Sequence, residues 1–154
     1  STANYRFDVT PEVAPENEEA PVLDEDAVKE IAALVGDTGN PVVMFALEWC
    51  EFCWSVKKMC AAYGIEFKSV DIDALEYQEN NRGSKLRAAL RGKTTWDTFP
   101  QIFIGGEFAG GCTVVFDEWK DGSLQKRLGG LQIDYDETTG KDPYSFLPGW
   151  LHAR

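Results

Sequence analysis

The pentapeptide Trp49-Cys50-Glu51-Phe52-Cys53 limits the architecture of the chain more than any other stretch. Two thiols separated by two residues meet only where the backbone turns, and the first turn of a helix supplies that geometry. Before it, the apolar run Val42 to Leu47 reads as a buried strand; after it, Ser55 to Tyr63 has helical spacing. The pair therefore stands at a strand-to-helix junction. There the free N–H groups and partial positive charge of the helix start favour a thiolate at Cys50. Cys50 is the candidate nucleophile, and Cys53 is placed to resolve whatever it attacks.

The remaining cysteines, Cys60 and Cys112, bear on whether this is a metal site. A four-ligand zinc centre would need all four cysteines to converge, because His152 is the only histidine and only one pair is close. A redox dithiol and no metal is the expectation. Cys60, seven residues after Cys53, is expected to face the core as a small apolar side chain. A chain of 154 residues that is 44% hydrophobic can build a core without a disulfide framework, which points to a reducing compartment, cytoplasm or organelle. The net charge of −11, densest between Glu12 and Asp26, argues against nucleic acid and anionic membrane as partners. No apolar run approaches the roughly 20 residues of a membrane helix, so a soluble protein is expected.

In order, residues 1–25 read as an acidic arm in which Tyr5, Phe7 and Val9 alternate as an edge strand would. Asp24 or Asp26 caps a helix with Val28, Ile31, Ala32 and Val35 on its apolar face, ended by Gly36. After the strand at 42–47, the helix following the cysteines buries Val56, Met59, Cys60 and Tyr63 and stops at Gly64. Glu66 to Ile72 predicts a second strand, and Ser84 to Arg91 a helix stopped by Gly92. Gln101 to Ile104 and Glu107 to Ala109 form a hairpin about Gly105-Gly106. A final helix opens at Cys112 and continues past Asp121-Gly122 through Leu124 and Leu128. The order predicts an α/β, thioredoxin-like fold over 26–128, a four-stranded mixed sheet flanked by helices. Residues 129–154 form an extension: Leu131, Ile133 and Tyr135 alternate before a turn at Asp136 to Gly140, suiting a strand or hairpin arm. Phe146, Leu147, Trp150 and Leu151 are apolar enough to pack on this domain or on a partner.

Thr98-Phe99-Pro100 before the third strand and Gly110-Gly111-Cys112 before the last helix join the dithiol in a consistent order. Across 26–128 the chain resembles the glutaredoxins. The resemblance implies a glutathione-dependent thiol–disulfide oxidoreductase, monomeric, acting on disulfide-containing or glutathionylated proteins. It implies a cis bond before Pro100, with the Phe99 backbone pairing with the cysteine moiety of glutathione. Gly110 and Gly111 would admit the ligand closely, and the N–H groups of Cys112 and Thr113 would receive the γ-glutamyl carboxylate. Arg87, Arg91 and Lys93 are candidates for the glycyl carboxylate.

Several positions depart from the family pattern. Leu47 stands where a lysine is usual, Glu51 where a proline is common, and Thr113 where an acidic residue is common. With Glu48 and Glu51 beside it, Cys50 is expected to be less acidic, and glutathione use weaker, than in a glutaredoxin with that lysine. Trp96-Asp97-Thr98-Phe99-Pro100-Gln101 looks like the corresponding stretch of monothiol, C-G-F-S-type glutaredoxins, which are associated with iron–sulfur clusters. That likeness supplies an alternative, a [2Fe–2S] cluster shared by two protomers through Cys50 of each and two glutathiones. A further alternative is the redox arm of a larger fusion protein.

Overall fold

Strand β1 (Val42–Ala46) is buried along its whole length, and the described chain, residues 22–151 of the computed structural model, is arranged on its two faces. It pairs in parallel with β2 (Lys68–Asp71) and antiparallel with β3 (Gln101–Ile104), which pairs antiparallel with β4 (Glu107–Gly110). The sheet order is β2-β1-β3-β4, the mixed four-stranded sheet expected from the element order.

Side-chain alternation divides the core in two. Val42, Met44 and Ala46 join Ile102 and Ile104 on one face, where α2 (Glu51–Ala62), α4 (Cys112–Asp121) and α5 (Ser123–Gly130) add Val56, Met59, Phe116 and Leu128. Val43 and Phe45 join Val70 and Phe103 on the other, covered by α1 (Glu25–Val35) and α3 (Arg82–Thr94) through Ile31, Val35, Leu86 and Leu90. Asp24 caps α1 by accepting the Ala27 N–H at 2.9 Å, and the Arg82 guanidinium ties α3 to Glu30 of α1. No helix among the described residues is long and apolar enough to cross a membrane.

Four expectations are corrected. The second strand is shorter than 66–72. Helix α3 extends beyond Ser84–Arg91 at both ends and runs through Gly92. Gly92 lies inside the helix, which ends instead at Thr95, whose backbone is left-handed (φ 63°). The last helix is two helices: Gly122 adopts φ +88°, a left-handed conformation that ends α4 and redirects the chain into α5. Among the described residues, the alternating Leu131, Ile133 and Tyr135 form no strand. The edge strand expected at Tyr5, Phe7 and Val9 lies outside the described residues.

The segment after α5 lies across α2 and α4. Ile133 and Tyr135 pack against the first core cluster, and Tyr144, Phe146 and Leu147 do so further along. Tyr63 is the anchor. Its carbonyl accepts the Asp136 N–H at 2.6 Å, its hydroxyl donates to the Lys141 carbonyl at 2.6 Å, and its ring stacks on Trp119 at 3.9 Å. Tyr63→Phe is expected to cost about 1 kcal/mol through the lost hydrogen bond. Limited proteolysis should then cut near Lys141 faster than in the parent protein, with amide exchange in β1 and β3 unchanged.

Candidate active site

The pairing of the strands brings three loops to one end of the sheet. β1 ends at Ala46; β3 begins beside it, with Gln101 opposite Phe45; and β4 ends there too, with Gly110 opposite Ile102. The turn at 47–50, the loop at 95–100 and the start of α4 therefore meet.

Cys50 is the N-cap of α2. Its backbone is extended (φ −124°, ψ 112°), and its Sγ accepts the Cys53 N–H at 3.2 Å, the role an oxygen-bearing side chain usually fills. The Cys53 thiol and the Phe52 N–H also donate toward this sulfur, and Lys57 adds attraction, so the Cys50 pKa falls from 9.0 to about 6. Lys57 is held by Asp71 at 3.4 Å. The Cys53 thiol first, and then the N–H groups of the helix start, outweigh burial and the acidic setting that Glu48 and Glu51 create. Those carboxylates act through solvent, whereas the N–H and S–H groups touch the sulfur. Cys53 is fully buried and its pKa is pushed far up, first by donating to Cys50, then by burial and by the Cys50 charge. The Phe99 carbonyl lies 3.8 Å from Cys50 Sγ and accepts from the thiol form. Burial pushes Cys60 and Cys112 up to about 12; for Cys112 the Cys50 charge contributes as well, which places its side chain beside the site.

The opposite wall is the loop before β3. The Phe99–Pro100 bond is cis. Gln101, 1% exposed, donates its side-chain amide to the carbonyls of Trp96 and Thr98, both at 3.1 Å. The Thr94 hydroxyl lies 3.0 Å from Gln101 Oε1 and accepts the Trp96 N–H at 3.1 Å, so one buried amide and one buried hydroxyl shape the loop. Arg87 places its guanidinium 5.1 Å from the centre of the Phe99 ring and donates to the Asp97 carbonyl at 3.2 Å. Arg91 reaches the Asp97 carboxylate at 3.6 Å. Lys93 is exposed, and six residues along the helix place it roughly 120° around the axis from Arg87. Arg87 and Leu47 also line a groove of about 390 Å³ with Tyr77 and Gln78.

Gly111 is the N-cap of α4, and a Cβ there would lie 2.9 Å from the Trp96 ring and 3.2 Å from the Pro100 carbonyl. No side chain caps this helix, so the N–H groups of Cys112 and the exposed Thr113 face the site uncapped. The structure thus gathers Cys50, Cys53, Phe99, Pro100, Gly111, Cys112, Thr113 and Arg87, and leaves Lys93 on another side of α3. Sequence reasoning missed Lys57, Asp97 as the partner of Arg87, the organising role of Gln101, and Trp150, whose indole N–H donates to Glu51 at 2.9 Å. For Gln101 a signal existed, an amide at the head of an otherwise apolar strand. For Trp150, 99 residues from Glu51, there was none.

Comparison with known proteins agrees with this geometry. The family model Glutaredoxin matches residues 42–109. The chain is 32% identical over 114 residues to monothiol glutaredoxin-S10 of Oryza sativa subsp. japonica, covering 74% of this chain and 64% of that protein. It is 37% identical over 87 residues to a glutaredoxin of Solanum lycopersicum, covering 56% of this chain and 76% of that one. Among solved structures, the buckwheat glutaredoxin–glutathione complex superposes with a TM-score of 0.62 at 33% identity, covering 70% of this chain and 91% of that chain.

Two outcomes follow from the site. Alkylation of Cys50 by iodoacetamide, followed by mass spectrometry, should rise with pH through a midpoint near about 6, because only the thiolate reacts and its pKa is lowered. A midpoint near the ordinary value of 9.0 would contradict the geometry. Gln101→Leu should destabilise the fold by about 1–3 kcal/mol by removing the donor to two loop carbonyls. Its largest chemical-shift changes should fall at Trp96 to Phe99.

Proposed function

As the chain belongs to the glutaredoxin family, we propose that it is a thiol–disulfide oxidoreductase that uses glutathione as reductant, with Cys50 as nucleophile. The observation that carries this reading is the Cys50 sulfur itself. It caps α2, faces the Phe99 carbonyl, and has its pKa lowered to about 6 by the groups that donate to it.

On a glutathionylated protein, the Cys50 thiolate attacks the glutathione sulfur. The old S–S bond breaks, a Cys50–glutathione disulfide forms, and the protein leaves as a thiolate that takes a proton from solvent. A second glutathione thiolate then attacks the glutathione sulfur on Cys50, releasing oxidised glutathione and restoring the Cys50 thiolate. On a protein disulfide, the Cys50 thiolate attacks one substrate sulfur, the substrate S–S bond breaks, the other substrate sulfur leaves as a thiolate that takes a proton from solvent, and a Cys50–substrate mixed disulfide forms. Cys53 then loses its proton and attacks Cys50 Sγ, expelling the second substrate thiolate and leaving a Cys50–Cys53 disulfide. That disulfide is reduced by two glutathiones, which leave as one oxidised glutathione.

The local electrostatics suit this order. While Cys50 is a thiolate, Cys53 keeps its proton because it donates to that charge. Once Cys50 is in a disulfide, both the hydrogen bond and the charge vanish and only burial holds the Cys53 proton, so the second thiol ionises more readily after the first has reacted.

For glutathione, the Phe99 backbone is positioned to pair with the cysteine moiety, with Pro100 fixing the loop. Gly111 leaves room at the cap, and the N–H groups of Cys112 and Thr113 suit the γ-glutamyl carboxylate. Arg87, beside Phe99, suits the glycyl carboxylate in exchange for Asp97. Lys93 has no such position on α3.

A [2Fe–2S] cluster at the same thiol would have to be shared by two protomers, with Cys50 from each and two glutathiones as ligands, because no one chain holds it alone. Cys53, Cys60 and Cys112 are buried, so each chain offers a single accessible thiolate. Among the described residues no three His, Cys, Asp or Glu side chains converge as metal ligands.

Turnover of a glutathionylated protein with glutathione and glutathione reductase tests the proposal. Cys50→Ser is expected to fall to background. Cys53→Ser should keep this activity while losing reduction of a protein disulfide. Full activity of Cys50→Ser would overturn the assignment.

A further inference from the structure

Eight large apolar side chains are exposed among the described residues, and four of them, Trp49, Phe52, Trp54 and Trp150, surround the first turn of α2. Trp49 is 86% exposed and Trp150 60%. This aromatic rim is ordered by protein contacts. The Trp54 indole N–H donates to the Glu48 carbonyl at 2.9 Å, and Trp49 meets Trp54 edge-on with ring centres 5.9 Å apart. Trp150 donates to Glu51, the residue next to Cys50, at 2.9 Å. The indole N–H groups of Trp54 and Trp150 are thereby satisfied within the chain, and what these two rings offer outward is apolar face.

Trp150 reaches this place because the C-terminal segment is pinned to α2 and α4 by Tyr63, Phe146 and Leu147. That segment lies beyond the residues 42–109 matched by the family model. Glutathione, a small polar tripeptide, has no apolar surface to cover four aromatic side chains. A polypeptide attached to it does.

Charge narrows the partner. Glu48 and Glu51 are both exposed at the rim; on α2, Lys57 is half-buried and paired with Asp71, and Lys58, one turn after Trp54, is an exposed base. With a net charge of −11 on the chain, the surface attracts cations, and arginine or lysine side chains stack favourably on tryptophan faces.

We propose that Trp49, Phe52, Trp54 and Trp150, with Glu48 and Glu51, form a docking surface for the polypeptide part of the substrate, a segment carrying apolar and basic residues around its modified cysteine. This deepens the proposed function and rests on it. The same charge opposes a second copy of this chain as the occupant.

The test compares three substrates on the full chain: a glutathionylated peptide with Leu and Arg flanks, the same peptide with Glu for Arg, and the small mixed disulfide of glutathione with 2-mercaptoethanol. The parent protein should prefer the basic peptide, less so at high salt. Trp49→Ala and Trp150→Ala should each raise KM for the basic peptide about tenfold, as loss of an aromatic anchor does, with the small disulfide changed by less than about twofold. Equal use of the two peptides, or equal losses on peptide and small disulfide, would overturn the docking surface. If the parent protein reduces none of the three, the proposed function fails instead. Docking is then read from quenching of tryptophan fluorescence of Cys50→Ser by the unmodified basic peptide, and absence of quenching overturns docking separately. Concentration-dependent dimerisation lost in Trp150→Ala would also overturn it, by assigning the rim to a second copy.

Discussion

The hydrogen bond from the Cys53 N–H to Cys50 Sγ is the interaction on which the site depends. A helix start leaves N–H groups without partners, and in most helices a side-chain oxygen satisfies one of them. Here the reactive sulfur does so. Ionising Cys50 makes it a better acceptor, so the helix and the thiolate stabilise each other, and any rearrangement that moved the first turn of α2 would also raise the thiol pKa. Burial of β1 on both faces holds that turn in place, since shifting it would expose Val43 and Phe45 on one side or Met44 and Ala46 on the other.

Sheet topology supplies the rest of the site. Because β3 runs antiparallel to β1 and β4 antiparallel to β3, the beginning of β3 and the end of β4 lie at the end of β1 that carries Cys50. Phe99, Gly111 and Thr113 reach the thiol by strand pairing alone, although they stand about fifty or more residues away in the chain. Fine placement then comes from buried polar groups. Gln101 and Thr94 hold the loop that presents the Phe99 carbonyl, and their cost if left unpaired keeps the loop in one shape. Arg87 and Arg91 close its outer side on Asp97.

Elements with strong local signals were legible in the sequence. Asp24 as a helix cap, the apolar β1, the helix after the dithiol and the Gly105-Gly106 hairpin follow from capping, period and turn chemistry. Misreadings arose where one signal had two physical causes. Gly92 looked like a helix stop, yet α3 runs through it and ends at Thr95, whose left-handed backbone stops it. Gly122 looked passable within a helix, yet its left-handed backbone divides α4 from α5. Leu131, Ile133 and Tyr135 alternate, but among the described residues no strand lies alongside them; Leu131 lies over the turn at Gly105 while Ile133 and Tyr135 pack on the first core cluster.

The sequence by itself determined the type of chemistry and its local setting: two thiols at a strand-to-helix junction, with a loop and a helix start suited to a thiol-bearing ligand. These features are short-range, and short-range geometry is written in adjacent residues. Only the tertiary structure decided how acidic Cys50 is and what surrounds it. The carboxylates of Glu48 and Glu51 are its neighbours in sequence, but the groups that set its charge are those whose hydrogens reach the sulfur, together with Lys57 one and a half to two turns along α2. Trp150 joins the rim for the same reason. Its distance from Glu51 is set by the packing of Tyr63, Phe146 and Leu147, not by any pattern near either residue.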